Sequence, residues 1–182
     1  MSKTALKVRI FGDSILRKKA RDVGEVTQRQ RDILSQMAKT MYESSGIGLA
    51  APQVGIGEAM IVVDIGQGLY KLINPKVVRK EGTQVIEEGC LSVPGICIKV
   101  KRSKRVLIKA LDEFAKQVSI EAEDLLACVF QHEIDHLKGR LIVDYSSFFD
   151  RLKIGQKLEK LRKRAGDEEL PESETKSCKL QL

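Results

Sequence analysis

A chain of 182 residues with 42% apolar content has the material for one ordinary domain with a real core, and its composition excludes overall disorder. Its 32 basic residues against 25 acidic ones leave a net charge of +7, too modest to demand a nucleic-acid partner unless it is concentrated in one place. The basic start, MSKTALKVRIFGDSILRKKA, has no apolar run of signal-peptide length, and nothing downstream approaches a membrane span, so a soluble cytoplasmic protein without a membrane partner is expected. Four unevenly spaced cysteines fit a reducing compartment better than a disulfide framework.

Along the chain, residues 27–45 have the pattern of a first helix. Thr27 and Gln30 stand at capping-box spacing, Ile33, Leu34, Met37, Met41 and Tyr42 form one apolar stripe, and Gly46 is placed to end it. From 58 to 121 the pattern changes to strands, AMIVVDI, LYKLINPKVV, TQVIEEGCLSV, ICIKV, RVLIKAL and QVSIEA, separated by glycine, proline and charged turns. A mainly antiparallel β region follows from this. A second helix is expected over about 123–138, with Glu123 and Asp124 at its positive end and Gly139 as its stop. The third, RLKIGQKLEKLRKR, puts Ile154, Leu158, Leu161 and Ala165 on one side and seven Lys or Arg around the rest. With no internal repeat or linker, the economical reading is one α+β catalytic unit over residues 1–165, its basic helix at 150–165, followed by a polar tail at 166–182.

The chain's two histidines occur in QHEIDH, four residues apart with a glutamate after the first. On the second helix, His132 and His136 fall one turn apart on one face, where their imidazoles can converge on a divalent metal. Glu133 beside them suits a general base for metal-assisted amide hydrolysis. A catalytic site of this kind needs a third protein ligand. The metzincin continuation fails because position 142 is Ile, which has no lone pair to offer. Glu159, the thermolysin-like choice, sits among Lys157, Lys160 and Lys163, where helical pairing accounts for it without a metal. Cys128 shares the helix face, but residue 136 lies about 12 Å further along the axis, which puts a metal between the histidines a full turn from Cys128. Cys178 falls in the tail, and Cys97 alternates onto the more polar face of ICIKV. Cys90, in the irregular stretch EEGCLSVPG whose glycines and proline can turn a thiol away from the sheet, is the preferred candidate, and spacing alone leaves it open.

Three stretches, GIGLAAPQ at 46–53, EGCLS at 88–92 and QHEIDH at 131–136, together resemble the three signature motifs of the peptide deformylases. The resemblance extends to GDSILR near the N-terminus and to the order of elements through residue 150. It implies a fold of small, mostly antiparallel sheets packed around a central metal-binding helix, with a C-terminal helix. It implies Cys90, His132 and His136 as metal ligands and Glu133 as the acid/base residue. The Gln53 side-chain amide and the Leu91 backbone N–H would stabilise the oxyanion, in the removal of the N-formyl group from nascent chains beginning with formyl-methionine. Ile47, Gly48 and Gly89 are implied in binding the peptide backbone, and Ile86, Leu125, Cys128 and Val129 in the slot for the methionine side chain. Plain core is the competing reading for these four, and a loop tie for Gln53. Glu88 is a hydrogen-bond partner behind the ligands or else an exposed charge. Fe2+ is the ion most commonly preferred in the family, with Zn2+, Ni2+ or Co2+ possible, and a Cys, His, His set does not choose among them.

Two rival readings remain at this stage. A zincin-type protease would share His132, Glu133 and His136 but draw its third ligand from Glu159. A binding module would dock the basic helix on RNA around a purely structural ion, although without aromatic residues to stack on bases a solvated face is the simpler account. The combined expectation is ribosome contact through that helix, without sequence-specific nucleic-acid recognition.

Overall fold

The computed structural model describes residues 6–165, so the tail expected at 166–182 lies outside the described residues. Among the described residues, seven strands and three α-helices form an α+β fold: β1 (Gly48–Ala50), β2 (Met60–Val63), β3 (Tyr70–Glu81), β4 (Gln84–Glu88), β5 (Ile98–Arg102), β6 (Arg105–Leu111), β7 (Gln117–Glu123), α1 (Gln28–Glu43), α2 (Asp124–Leu137) and α3 (Phe148–Arg164). One sheet has the order β1-β2-β3-β6-β7, the other is the β4-β5 hairpin, and every strand pairing between them is antiparallel.

The run MIVV explains how the layers assemble. Ile61 and Val63 face α2 with Leu72, Val106 and Ile108, whereas Met60 and Val62 face α1 with Leu34, Met37 and Met41. Successive strand residues point to opposite faces, so a strand covered on both sides is apolar throughout and loses the alternation of a half-exposed one. A third cluster joins β5, through Ile98 and Val100, to Ile142, Val143 and the Leu161 face of α3. Every residue of α2 from Leu126 to Leu137 is buried, which makes it the helix around which the layers close.

Helix ends differ instructively from the sequence reading. Gln30 accepts from the Thr27 backbone N–H at 3.1 Å and from the Thr27 hydroxyl at 2.6 Å, so the expected pair closes the start of α1. At the other end α1 closes with Ser45, not Gly46, in the left-handed region (φ 56), with Ser45 N–H on Tyr42 O and Gly46 N–H on Met41 O. Gly46 is needed instead for clearance, since a Cβ there would stand 2.9 Å from Leu91 Cδ1. α2 ends as expected on Gly139 (φ 72), with Gly139 N–H on His136 O and Arg140 N–H on Asp135 O. α3 begins earlier than the apolar stripe indicated, because the Ser147 hydroxyl caps the Asp150 N–H at 3.1 Å.

Gly139→Ala should lower stability by about 1–3 kcal/mol, since a Cβ would meet the Arg17 carbonyl at 2.6 Å in a backbone conformation that disfavours side chains. Urea unfolding checks this; an unchanged midpoint would show that the turn at the end of α2 relaxes freely.

Candidate metal centre

The loop between β4 and β5 lies where the three apolar clusters meet. Cys90 is buried with the β5 cluster and Leu91 with the α1 cluster, while Cys128 and Val129 of α2 belong to the third. This wedging brings a loop cysteine against the buried face of α2. Cys90 Sγ stands 3.3 Å from His136 Nε2, and the two Nε2 atoms of His132 and His136 are 3.1 Å apart. Cys90, His132 and His136, all buried, are the one such cluster of potential ligands among the described residues, their donor atoms all within 4.8 Å of one another. Two imidazole nitrogens on one tetrahedral ion stand about 3.3 Å apart and a thiolate about 3.5 Å from each, so the spacing suits a divalent metal.

The electrostatics suit one as well. Burial pushes the Cys90 thiol well above its ordinary range, and the charges of Glu133 and Glu88 add to this against the Ser92 and Val93 backbone groups that favour a thiolate. Burial also holds His136 well below the usual imidazole range, with His132 adding to the effect, which leaves it neutral with a lone pair to offer. A cation bound here would favour the deprotonated form of that thiol.

Behind the cluster, Glu88 takes the Nδ1 side of His132 at 2.9 Å, so the ring carries its proton there and turns Nε2 toward Cys90 and His136. Glu88 is fully buried, which removes the reading of an exposed charge. Arg102 forks onto both of its oxygens, Nε to Oε1 at 2.7 Å and Nη2 to Oε2 at 2.9 Å, and Cys128 donates its thiol to Oε1 at 3.1 Å. Burial alone would raise the Glu88 pKa; hydrogen bonds from Arg102 and His132, with their charges, outweigh it and bring it to about 2.

Glu133 is fully buried, and neither carboxylate oxygen has a hydrogen-bond partner among the described residues. Burial, then the charge of Glu88, holds its carboxyl well above the ordinary range. Gly48 in β1 runs against it so closely that a Cβ there would stand 2.2 Å from Glu133 Oε1. The Gln53 side-chain oxygen Oε1 accepts from Ala50 N–H at 2.7 Å, which turns its Nε2 toward Cys90 Sγ at 3.6 Å. One end of that amide ties the loop, as the competing reading had it, and the other faces the cluster. Leu91 N–H makes no backbone hydrogen bond among the described residues.

The other expected residues divide clearly. Ile47, Ile86, Leu125, Cys128 and Val129 belong to one apolar cluster on α2, and Gly89 is buried between Glu88 and Cys90. Glu159 lies exposed on α3 beside Arg162 and takes no part in the cluster. Cys97 is half-exposed, as its place in the alternation implied, but it is disulfide-bonded, against the expectation that the cysteines stay reduced. Cys178 lies outside the described residues. Sequence reasoning missed Arg102, Asp135 and Tyr145. A signal for the first existed, since the pattern of β5 puts Arg102 on the inward side with Ile98 and Val100, and an inward arginine requires buried acids.

The pattern of the polypeptide deformylase family matches residues 5–151. The chain belongs to that family. A peptide deformylase of Halothermothrix orenii is 50% identical over 141 residues, 76% of this chain and 92% of that protein. One from Thermoanaerobacter pseudethanolicus is 52% identical over 137 residues, 75% of this chain and 86% of that one. Among solved structures, a peptide deformylase from Legionella pneumophila superposes with a TM-score of 0.83 at 38% identity, covering 91% of this chain and all of the other (100%). A deformylase of Synechococcus elongatus in complex with actinonin gives 0.81 at 40% identity over 88% of each chain.

The hydrogen bonds that lower the pKa of Glu88 should make the stability of this chain acid-sensitive. Its charge stabilises the fold above the ordinary 4.5, and the contribution, about 3 kcal/mol, fades as pH falls from there through about 2. Urea unfolding of metal-free protein from pH 6 to 2.5 should show that loss, and Glu88→Gln should remove its share of the slope. Equal slopes in the two proteins would contradict it.

Proposed function

We propose that Cys90, His132 and His136 hold one divalent ion, Fe2+ in the native enzyme with Zn2+, Ni2+ or Co2+ able to replace it, and that Glu133 is the acid/base residue beside it. The chain removes the N-formyl group from the N-terminal formyl-methionine of newly made polypeptides, releasing formate and a free amine. The observation that carries the residue assignment is the buried Cys90–His132–His136 cluster, with the unpartnered Glu133 carboxylate on the same helix. The ion, when bound, supplies a Lewis acid that makes water a better nucleophile and polarises the formyl oxygen.

Around it the side chains act in sequence. Glu133, its affinity for protons raised by burial, takes a proton from the attacking water and returns one to the leaving nitrogen. Gln53 Nε2, held in direction by the Ala50 bond, and the Leu91 N–H donate to the oxygen as charge develops there; one such donor is typically worth about 2.7–4 kcal/mol. Backbone at Ile47, Gly48 and Gly89 aligns the peptide, and Ile86, Leu125, Cys128 and Val129 wall the methionine slot. The substrate appears in the cytoplasm, where the enzyme is placed by this reading. Among the described residues no helix is long and apolar enough to cross a membrane.

Formate release from a formyl-Met tripeptide, beside acetyl-Met and unblocked controls, tests the reading. Activity should return after chelation only with added metal. Glu133→Ala should lower kcat by at least about a hundredfold with metal retained, and Gly48→Ala, by displacing that carboxylate, should act in the same direction. Cys90→Ser should lose metal while Glu159→Gln keeps it, and the reverse would favour the zincin reading.

Ribosome contact belongs to the same proposal, supported by Lys153, Lys157, Lys160 and Lys163 on the exposed side of α3. Because Leu161 anchors the other side, reversing Lys153, Lys160 and Lys163 to Glu should leave the fold intact and abolish salt-sensitive co-sedimentation with ribosomes. Undiminished co-sedimentation would remove this contact.

A further inference from the structure

The buried polar network does not stop at Glu88. Arg102 uses its remaining donor, Nη1, on Asp135 Oδ2 at 2.5 Å, and the Tyr145 hydroxyl donates to the same oxygen at 2.6 Å. The guanidinium also lies 4.9 Å above the Tyr145 ring, so it is fixed at two edges and on one face. Glu88, Arg102, Asp135 and the His132 ring are all nearly or fully buried, while Tyr145, in the short 3-10 helix Ile142–Tyr145, is 36% exposed at the far end.

We infer that Asp135 and Tyr145 are positioning residues for the metal ligand His132, acting through Arg102 and Glu88. The chain of contacts is Tyr145 OH to Asp135, Asp135 to Arg102, Arg102 to both oxygens of Glu88, and Glu88 to His132 Nδ1. Each link removes a freedom of the next. Without Asp135 the guanidinium keeps the Glu88 fork and the Tyr145 ring on its face, with only the long 3.4 Å contact from Nη1 to the Tyr145 hydroxyl at its far edge, so it can tilt, and the carboxylate tilts with it. A carboxylate out of the imidazole plane no longer holds Nε2 on the line toward Cys90 and His136. No equivalent anchor serves the other imidazole, because His136 Nδ1 has no partner among the described residues. The directional control of the imidazoles is therefore concentrated at His132. The network holds two acids and one guanidinium, and that excess of negative charge beside the cluster favours a cation there.

The inference rests on the assignment of His132 as a metal ligand, so its test reads metal and not turnover. Metal-free wild type, Asp135→Asn, Tyr145→Phe and, as reference, Glu88→Gln are loaded with Co2+. Visible absorption is recorded, and release to excess chelator is timed. Losing a partner behind a ligand typically weakens metal binding by about 10–100-fold. Asp135→Asn should therefore release Co2+ about tenfold faster with altered absorption bands, and Tyr145→Phe should change both in the same direction by a smaller factor. If both variants show wild-type bands and rates within twofold while Glu88→Gln does not, the residues serve only folding and the inference fails, even where their urea midpoints fall. Should Asp135→Asn not fold, Tyr145→Phe decides alone, since its ring and packing remain. Wild type that binds Co2+ but releases no formate would refute the proposed reaction and leave the inference standing. Wild type that takes up no Co2+ would overturn both.

Discussion

One ion pair removed from water, Arg102 with Glu88, is the interaction on which the rest of this site depends. A buried carboxylate would ordinarily take up a proton, and here the fork of Arg102 keeps it ionised and turned toward His132. Such a pair adds little net stability over an apolar substitute, because two desolvated charges offset most of their mutual attraction. Breaking it is another matter, since one charge is then left buried alone, at a cost of about 3–5 kcal/mol. The pair is thus better understood as a device for orientation than as a contribution to the stability of the fold.

The fold makes that device possible by burying α2 on every side. A helix closed in by the five-stranded sheet and by the loop carrying Cys90 can hold polar groups only where partners are built for them. His132 has Glu88 and Asp135 has Arg102 with Tyr145, whereas Glu133 has neither. A buried carboxylate without a partner among the described residues is costly, and such a cost is characteristic of groups that act on a ligand, which is the role proposed for Glu133. Gly48 belongs to the same logic: only a residue without a Cβ lets β1 lie close enough to screen Glu133 from water.

Much of this was legible from the sequence, for reasons that can be named. Helix periodicity located α2 and α3, and Gly139 stopped α2 where a left-handed residue was needed. An unbroken apolar run located β2 and strand patterning with turn signals located β3 to β7, while β1, three residues inside a glycine-rich loop, was too short to show either. The four-residue spacing of the histidines survives any detail of packing because it is a property of the helix itself. The position of Cys90 does not, since a loop places a side chain only through what it wedges between, and spacing alone therefore left the third ligand open.

Arg102, Asp135 and Tyr145 were missed for a different physical reason. Each reads locally as surface: a basic residue at a strand end, an acid within a charged motif, a tyrosine in a polar turn. Their burial arises only when β5, α2 and the 3-10 helix Ile142–Tyr145 converge, which no window of sequence contains. The inward parity of Arg102 was the one local trace, and it becomes informative only once the strand's buried side is known. A charged residue on an apolar face is a demand for partners, so following that demand from Arg102 leads to Glu88 and Asp135, and from there to the imidazole that the whole arrangement aims.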